Sequence, residues 1–263
     1  MNIEKLEKEK GKFYATLITL SNHTPFEDVD KYGEYDVSMS VDGVRYDYME
    51  NTKLGNYFKS SHYADAQIGL LIEELKKENM LDNTVIIIYG DHDARIEKSE
   101  WNRFYNYDYK TSSIKSSDDE SYVDIDYYFY EINKKVPFII WSNDEKFKTT
   151  LSKEIKEVGG MIDVGPTIMN LLGIHNKYFL GNDLLNKENN IVVFPNGNFV
   201  TDKVYYSELK NEYKLLKDVP IEENYIENCK TYTEKIIDVS NDIIVYNYFR
   251  KELSEVRFEK EWE

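Results

Sequence analysis

A chain of 263 residues with 41% hydrophobic content is long enough to bury a sizeable α/β core. Lys and Arg number 33 against 49 Asp and Glu, a formal net charge of −16 that repels a phosphate backbone and argues against nucleic-acid binding. An anionic substrate is acceptable to such a chain only where a bound cation or local basic groups reverse the field. The longest apolar runs, TVIIIY and VPFIIW, fall far short of the roughly 20 residues that span a bilayer, and the charged start MNIEKLEKEKGK lacks the apolar stretch of a signal peptide. By itself this start predicts retention in the cytosol. The one cysteine, Cys229 in ENCKTY, forms no internal disulfide, has no metal-ligand spacing, and reads as an inert thiol.

In chain order, the first predicted element is a strand at FYATLITL (13–20), rich in β-branched and aromatic residues. Just past it lies Ser21-Asn22-His23 before Thr24-Pro25, where His23 reads either as a turn histidine or as a group delivered to a sheet edge. The stretch SHYADAQIGLLIEELKKENMLDN (61–83) predicts an amphipathic helix, with Ala64, Ile68, Leu71, Ile72 and Leu75 on one face and Lys76, Lys77 near its end. His62 opens that helix and reads as a surface or capping residue.

TVIIIY (84–89) predicts a second strand, running into Gly90-Asp91-His92. Asp91 offers a hard oxygen and His92 a borderline nitrogen, a combination suited to Mn²⁺ or Zn²⁺, with Gly90 allowing the backbone to turn so that both converge. The same pair can instead cap the following helix. Residues 105–130, YNYDYKTSSIKSSDDESYVDIDYYFY, show no helix or strand period and read as a long surface excursion. Its tyrosines either face solvent or form a flap that stacks on a sugar or glycerol headgroup.

VPFIIW (136–141) and IVVF (191–194) predict two further strands. Between them MIDVGPTIMNLLGI predicts a helix with Asp163 as its cap, Pro166 in the first turn, and Ile168, Met169, Leu171 and Leu172 as the apolar face before Gly173. His175 follows its end and reads as a surface group. TEKIIDVSNDIIVYNYFRKEL (233–253) predicts a closing helix. Strands alternating with helices predict an α/β domain with a mostly parallel sheet flanked by helices, whose ligands gather at the carboxyl ends of the strands. No repeat or Pro- or Gly-rich linker divides it, so residues 1–263 read as one domain, with a surface insertion at 105–130 and a carboxyl-terminal subregion at 195–263.

Five segments in order, LITLSNHTPF, YADAQIGLLIEELKKENMLDNTVIIIYGDH, VPFIIWS, GGMIDVGPTIMNLLGI and FLGNDLLNKENNIVVFPNGNFVTDKVYYS, resemble the carboxyl-terminal half of the lipoteichoic-acid synthase, or phosphoglycerol transferase, branch of the alkaline phosphatase and sulfatase superfamily. The resemblance spans roughly residues 11 to 250. It implies that Asp91 and His92 are two ligands of a single Mn²⁺ site, with Zn²⁺ or Mg²⁺ as alternative ions, and that His23 holds the phosphate or glycerol of a phosphatidylglycerol-type headgroup. The family reaction uses a metal-activated threonine that attacks the phosphodiester, and it runs on the extracellular face of the membrane.

The chain departs from the pattern in several places. No match is found for the threonine nucleophile, the upstream metal carboxylate or the anchoring membrane helices, so the expectation is a partial catalytic domain in need of an amino-terminal half. After Gly-Asp-His, Asp93-Ala94 replaces the family's common Tyr-Gly. A sulfatase or related ester hydrolase is the alternative enzyme, although Cys229 is followed by Lys-Thr-Tyr and not by a formylglycine motif. A non-catalytic remnant or split half is the alternative outside enzymology.

Overall fold

The computed structural model describes residues 11–27 and 29–250. They form two compact units, divided after Ser152.

The first unit opens with a 3₁₀ turn at Val29–Tyr32 and a hairpin of β1 (Met39–Val41) and β2 (Val44–Tyr46). Its two-residue loop is Asp42-Gly43, both at positive φ, the geometry that matches the twist of the flanking strands. Helix α1 follows at Lys53–Lys77, then a 3₁₀ turn at Leu81–Asn83, β3 (Val85–Tyr89), α2 (Lys98–Asn106), the short pair β4 (Tyr107–Asp108) and β5 (Ser113–Ile114), α3 (Tyr127–Ile132), β6 (Phe138–Ser142) and α4 (Glu145–Leu151).

Helix α1 starts well before the predicted position, capped by Thr52, whose hydroxyl accepts from Gly55 N–H at 3.0 Å. The early turns were hidden by Gly55, a poor helix former held there by crowding, since a Cβ would meet the Met49 carbonyl oxygen at 2.0 Å. His62 therefore sits within the helix, not at its start, and stacks on Tyr35 at 4.6 Å. The predicted apolar face is the buried one: Leu75 is buried and Ala64, Ile68, Leu71 and Ile72 half-buried, while Leu70 is exposed.

Strand β3 pairs with β6 in register from Val85↔Ser142 to Tyr89↔Phe138, and the pairing is antiparallel. Every ladder among the described residues is antiparallel, in contrast to the mostly parallel neighbours expected. An apolar run such as VIIIY has the same composition whichever way its neighbour runs, so the sequence carries no direction. The expected strand at 13–20 is not formed. Phe13–Leu20 joins no ladder among the described residues, and Tyr14 and Ile18 are more than 80% exposed. High β-propensity describes a residue's fit to a pleated, half-buried surface, and among the described residues no such surface lies against this run.

Phe26, Val37, Met49, Leu54 and Ile96 form the core of this unit, with Ala94, Trp101 and Phe104 packed against them. Residues 105–130 are tied down at several points. Asn106, fully buried, donates to the Val123 carbonyl at 2.8 Å and accepts from the Val123 N–H at 2.7 Å. Ile125 is buried, Tyr107 meets Tyr48 at 5.1 Å and Tyr109 meets Tyr46 at 5.5 Å.

The second unit holds α5 (Met161–Leu171), an antiparallel meander of β7 (Ile191–Val193), β8 (Phe199–Thr201), β9 (Val204–Ser207) and β10 (Glu212–Leu215), and α6 (Tyr225–Val245). The closing helix begins earlier than predicted, at Tyr225, and stops at Val245; residues 251–253 of the prediction lie outside the described residues. Phe199, Val204 and Tyr206 form its core with Ile191, Tyr225, Ile226 and Cys229. Burial raises the pKa of the Cys229 thiol.

Asp163 is not the cap residue of α5. Gly160 holds that position, and Asp163, three residues on, accepts from its N–H at 2.9 Å. Pro166 sits in the middle of the helix, not in its first turn, which leaves the Ile162 carbonyl without its helical donor. Gly181 packs against that carbonyl so tightly that a Cβ would lie 2.1 Å from the oxygen. The Asp163 carboxylate, wholly buried, also accepts from Asn182 N–H at 2.7 Å and Asn190 Nδ2 at 2.9 Å. These donors replace the water that a buried carboxylate loses.

Candidate functional site

The first unit brings the three predicted site residues to one place. The His23 and His92 rings meet edge to face with centroids 5.7 Å apart, and Asp91 Oδ1 lies 3.9 Å from His92 Nε2. The two imidazoles share a local arrangement. His23 Nδ1 lies 2.6 Å from the carbonyl oxygen of Thr24, and His92 Nδ1 lies 2.6 Å from that of Asp93. A carbonyl accepts only, so each Nδ1 donates to its carbonyl and Nε2 is the ring nitrogen left for another ligand. The His62 ring, on α1, stacks on Tyr35, and His175 lies exposed in the other unit.

Both loops are anchored in one core. His23 stands where two turns meet, Leu20 to His23 and His23 to Phe26, and Phe26 is 1% exposed although its φ is positive. Beyond His92, Ala94 packs on the same cluster and Ile96 is buried within it. The second loop is held further by Asp93, which accepts from Arg95 N–H at 2.9 Å. Lys53 Nζ donates to the Arg95 carbonyl at 2.8 Å, and Tyr130 O–H donates to the Ile96 carbonyl at 3.0 Å.

Gly90 earns its place by crowding, not by turning. Its φ is not positive, but a Cβ would lie 2.8 Å from the Val136 Cβ where the chain enters β6, and its N–H donates to the Pro137 carbonyl at 3.2 Å. Val136, Lys53 and Tyr130 were not legible as supports. Their partners are backbone groups far along the chain, which no local spacing encodes.

Asp91 is mostly exposed and His92 about a third exposed. One carboxylate oxygen and one imidazole nitrogen, with a second imidazole close by, suit a borderline divalent cation. Among the described residues no group of three or more His, Cys, Asp or Glu is placed to hold a metal ion. No helix among the described residues is long and apolar enough to cross a membrane.

A strand-end Asp-His pair facing a turn histidine, on mixed helices and sheets, is the setting in which the chain matches known proteins. Residues 2–174 match the family model Sulfatase, and the chain belongs to the sulfatase family. Within it, the chain is 30% identical over 244 residues to lipoteichoic acid synthase 2 of Bacillus subtilis, covering 91% of this chain and 33% of that one. It is 30% identical over 252 residues to the lipoteichoic acid synthase of Staphylococcus aureus strain USA300, covering 92% and 34%. Among solved structures, the lipoteichoic acid synthase LtaP of Listeria monocytogenes superposes with a TM-score of 0.63 at 28% identity, over 92% of this chain and 56% of that one. The fold is thus that of the alkaline phosphatase and sulfatase group, and the chain spans about a third of the length of the curated relatives it matches.

Proposed function

We propose that this chain is part of a metal-dependent phosphoglycerol transferase that acts on a phosphatidylglycerol-type headgroup at the outer face of a membrane. The observation that carries the reading is the meeting of His23 with His92 beside Asp91, each imidazole presenting Nε2. Asp91 and His92 hold the cation, with Mn²⁺ as the expected ion and Zn²⁺ or Mg²⁺ as alternatives. Once bound, the ion lowers the pKa of an attacking hydroxyl and offsets the charge of the phosphoryl oxygens, which reconciles an acidic protein with an acidic headgroup. His23 holds the headgroup through Nε2, which accepts from a glycerol hydroxyl, since its Nδ1 is committed to the Thr24 carbonyl. No residue of this chain is assigned as the nucleophile; that group and a further metal ligand come from an amino-terminal half of the domain.

Isothermal titration with Mn²⁺ tests the ligand assignment without turnover. The chain is expected to bind weakly, to lose binding in both Asp91→Ala and His92→Ala, and to keep it in His23→Ala. Binding that survives both ligand substitutions overturns the assignment. In the same preparation, no cleavage of a phosphatidylglycerol headgroup analogue is expected from this chain alone, and Mn²⁺-dependent cleavage abolished by Asp91→Ala refutes that part.

A further inference from the structure

The turn that carries His23 is fixed unevenly. On its downstream side Phe26 is buried in the core, whereas upstream Phe13–Leu20 runs exposed and joins no ladder among the described residues. The backbone bonds of the turn itself are 3.2 and 3.3 Å long. A further tether among the described residues is Asn22, whose Oδ1 accepts from Ser60 Oγ at 2.6 Å and from Ser61 Oγ at 3.2 Å. Ser60 is fully buried on α1, so its hydroxyl sits on a rigid element.

The same helix holds the other imidazole. Lys53, in the first turn of α1, donates to the Arg95 carbonyl of the loop that carries His92, and Leu54 N–H donates to Glu100 Oε2 at 3.0 Å. Helix α1 is therefore a common reference for both rings. We infer that Asn22 is a positioning residue for His23: clamped by Ser60 and Ser61, it sets the imidazole in register with His92. The inference rests on the reading of His23 as the headgroup-holding histidine, and it adds the residue that sets the ring's place.

The test uses the full chain and histidine-selective NMR. An edge-to-face pair at 5.7 Å shifts the ring protons of one histidine by the ring current of the other, and His92→Ala gives the unpaired reference for His23. Asn22→Ala is expected to move the His23 signals to that reference, and the double variant Ser60→Ala/Ser61→Ala to do the same. Asn22→Asp keeps an acceptor oxygen for both hydroxyls and is expected to retain the parent shifts. In parallel, glycerol 1-phosphate affinity is expected to fall about tenfold in Asn22→Ala and in His23→Ala, as for the loss of one hydrogen bond to a glycerol hydroxyl.

Unchanged His23 shifts in a folded Asn22→Ala protein overturn the inference, whatever happens to the unfolding midpoint. If Asn22→Ala does not fold, Ser61→Ala alone, which removes the longer bond, must still move the His23 signals part of the way. If the rings move as expected while glycerol 1-phosphate binds the parent, Asn22→Ala and His23→Ala alike, positioning stands and the headgroup reading fails.

Discussion

Phe26→Ala probes the link between the two loops of the site. The ring is 1% exposed and shares a core with Ile96, so one cluster anchors the turn of His23 and the loop of His92. A buried phenylalanine removes roughly 150–200 Å² from water, which at about 25 cal/mol per Å² is worth about 4 to 5 kcal/mol as an upper bound. Truncation in other cores costs about 3–5 kcal/mol, so a loss of about 3–4 kcal/mol is expected here. Urea unfolding, followed by circular dichroism and by tryptophan fluorescence to which Trp101 in the same cluster contributes, reads this directly. Ile96→Ala in the same background should show a coupling of about 0.5–2 kcal/mol, as for residues in one packed cluster. A loss under about 1 kcal/mol, or strict additivity of the two changes, refutes the shared anchorage.

Two other outcomes follow from the bonding described above. Asp163→Ala leaves Gly160 N–H, Asn182 N–H and Asn190 Nδ2 without their acceptor and should cost about 3–5 kcal/mol, with faster amide exchange at Gly160 and Asn182. Asp163→Asn, which keeps one oxygen, should cost less; a loss under about 1 kcal/mol in Asp163→Ala would show that these bonds do not hold this corner. The Lys53 ammonium holds the Glu97 carboxyl below its ordinary pKa, so this pair stabilises the folded state above the unfolded value of about 4.3 and stops doing so as pH falls through the lowered folded value. Because Glu97 is more than half exposed, the effect is under about 1 kcal/mol. Glu97→Gln should flatten the acid limb of a urea-midpoint against pH curve by that amount, and an unchanged limb would remove the pair from the loop's support.

What could be read from the sequence was chemistry concentrated in short runs. Gly90-Asp91-His92 was visible at the end of VIIIY because strand-end placement needs only local pattern, whereas His23 was picked out behind a strand that does not form. Strand direction was not, since β3 pairs with a segment about fifty residues away. The failure at 13–20 has the same root: apolar composition describes what a segment can cover, not what stands opposite it. Asp163 was visible as a capping group, but its second and third donors come from residues 182 and 190, so its burial could not be anticipated. Gly90 was visible as a necessity for the wrong reason, because the crowding comes from Val136.

The closure at Asn106 has a consequence for how this chain tolerates change. One amide reads both backbone groups of Val123 and so stands in for a rung of sheet ladder, drawing the two ends of the excursion together. Whatever is strung between those ends beyond the Tyr107 and Tyr109 contacts is relieved of holding the core together. Residues 116–121, past the β4–β5 pair and the bond from Lys115 N–H to the Asn106 carbonyl, thus form a cassette, a stretch in which length and composition can drift, or be exchanged for a short turn or a tag, while Asn106 keeps the histidine-bearing unit in register.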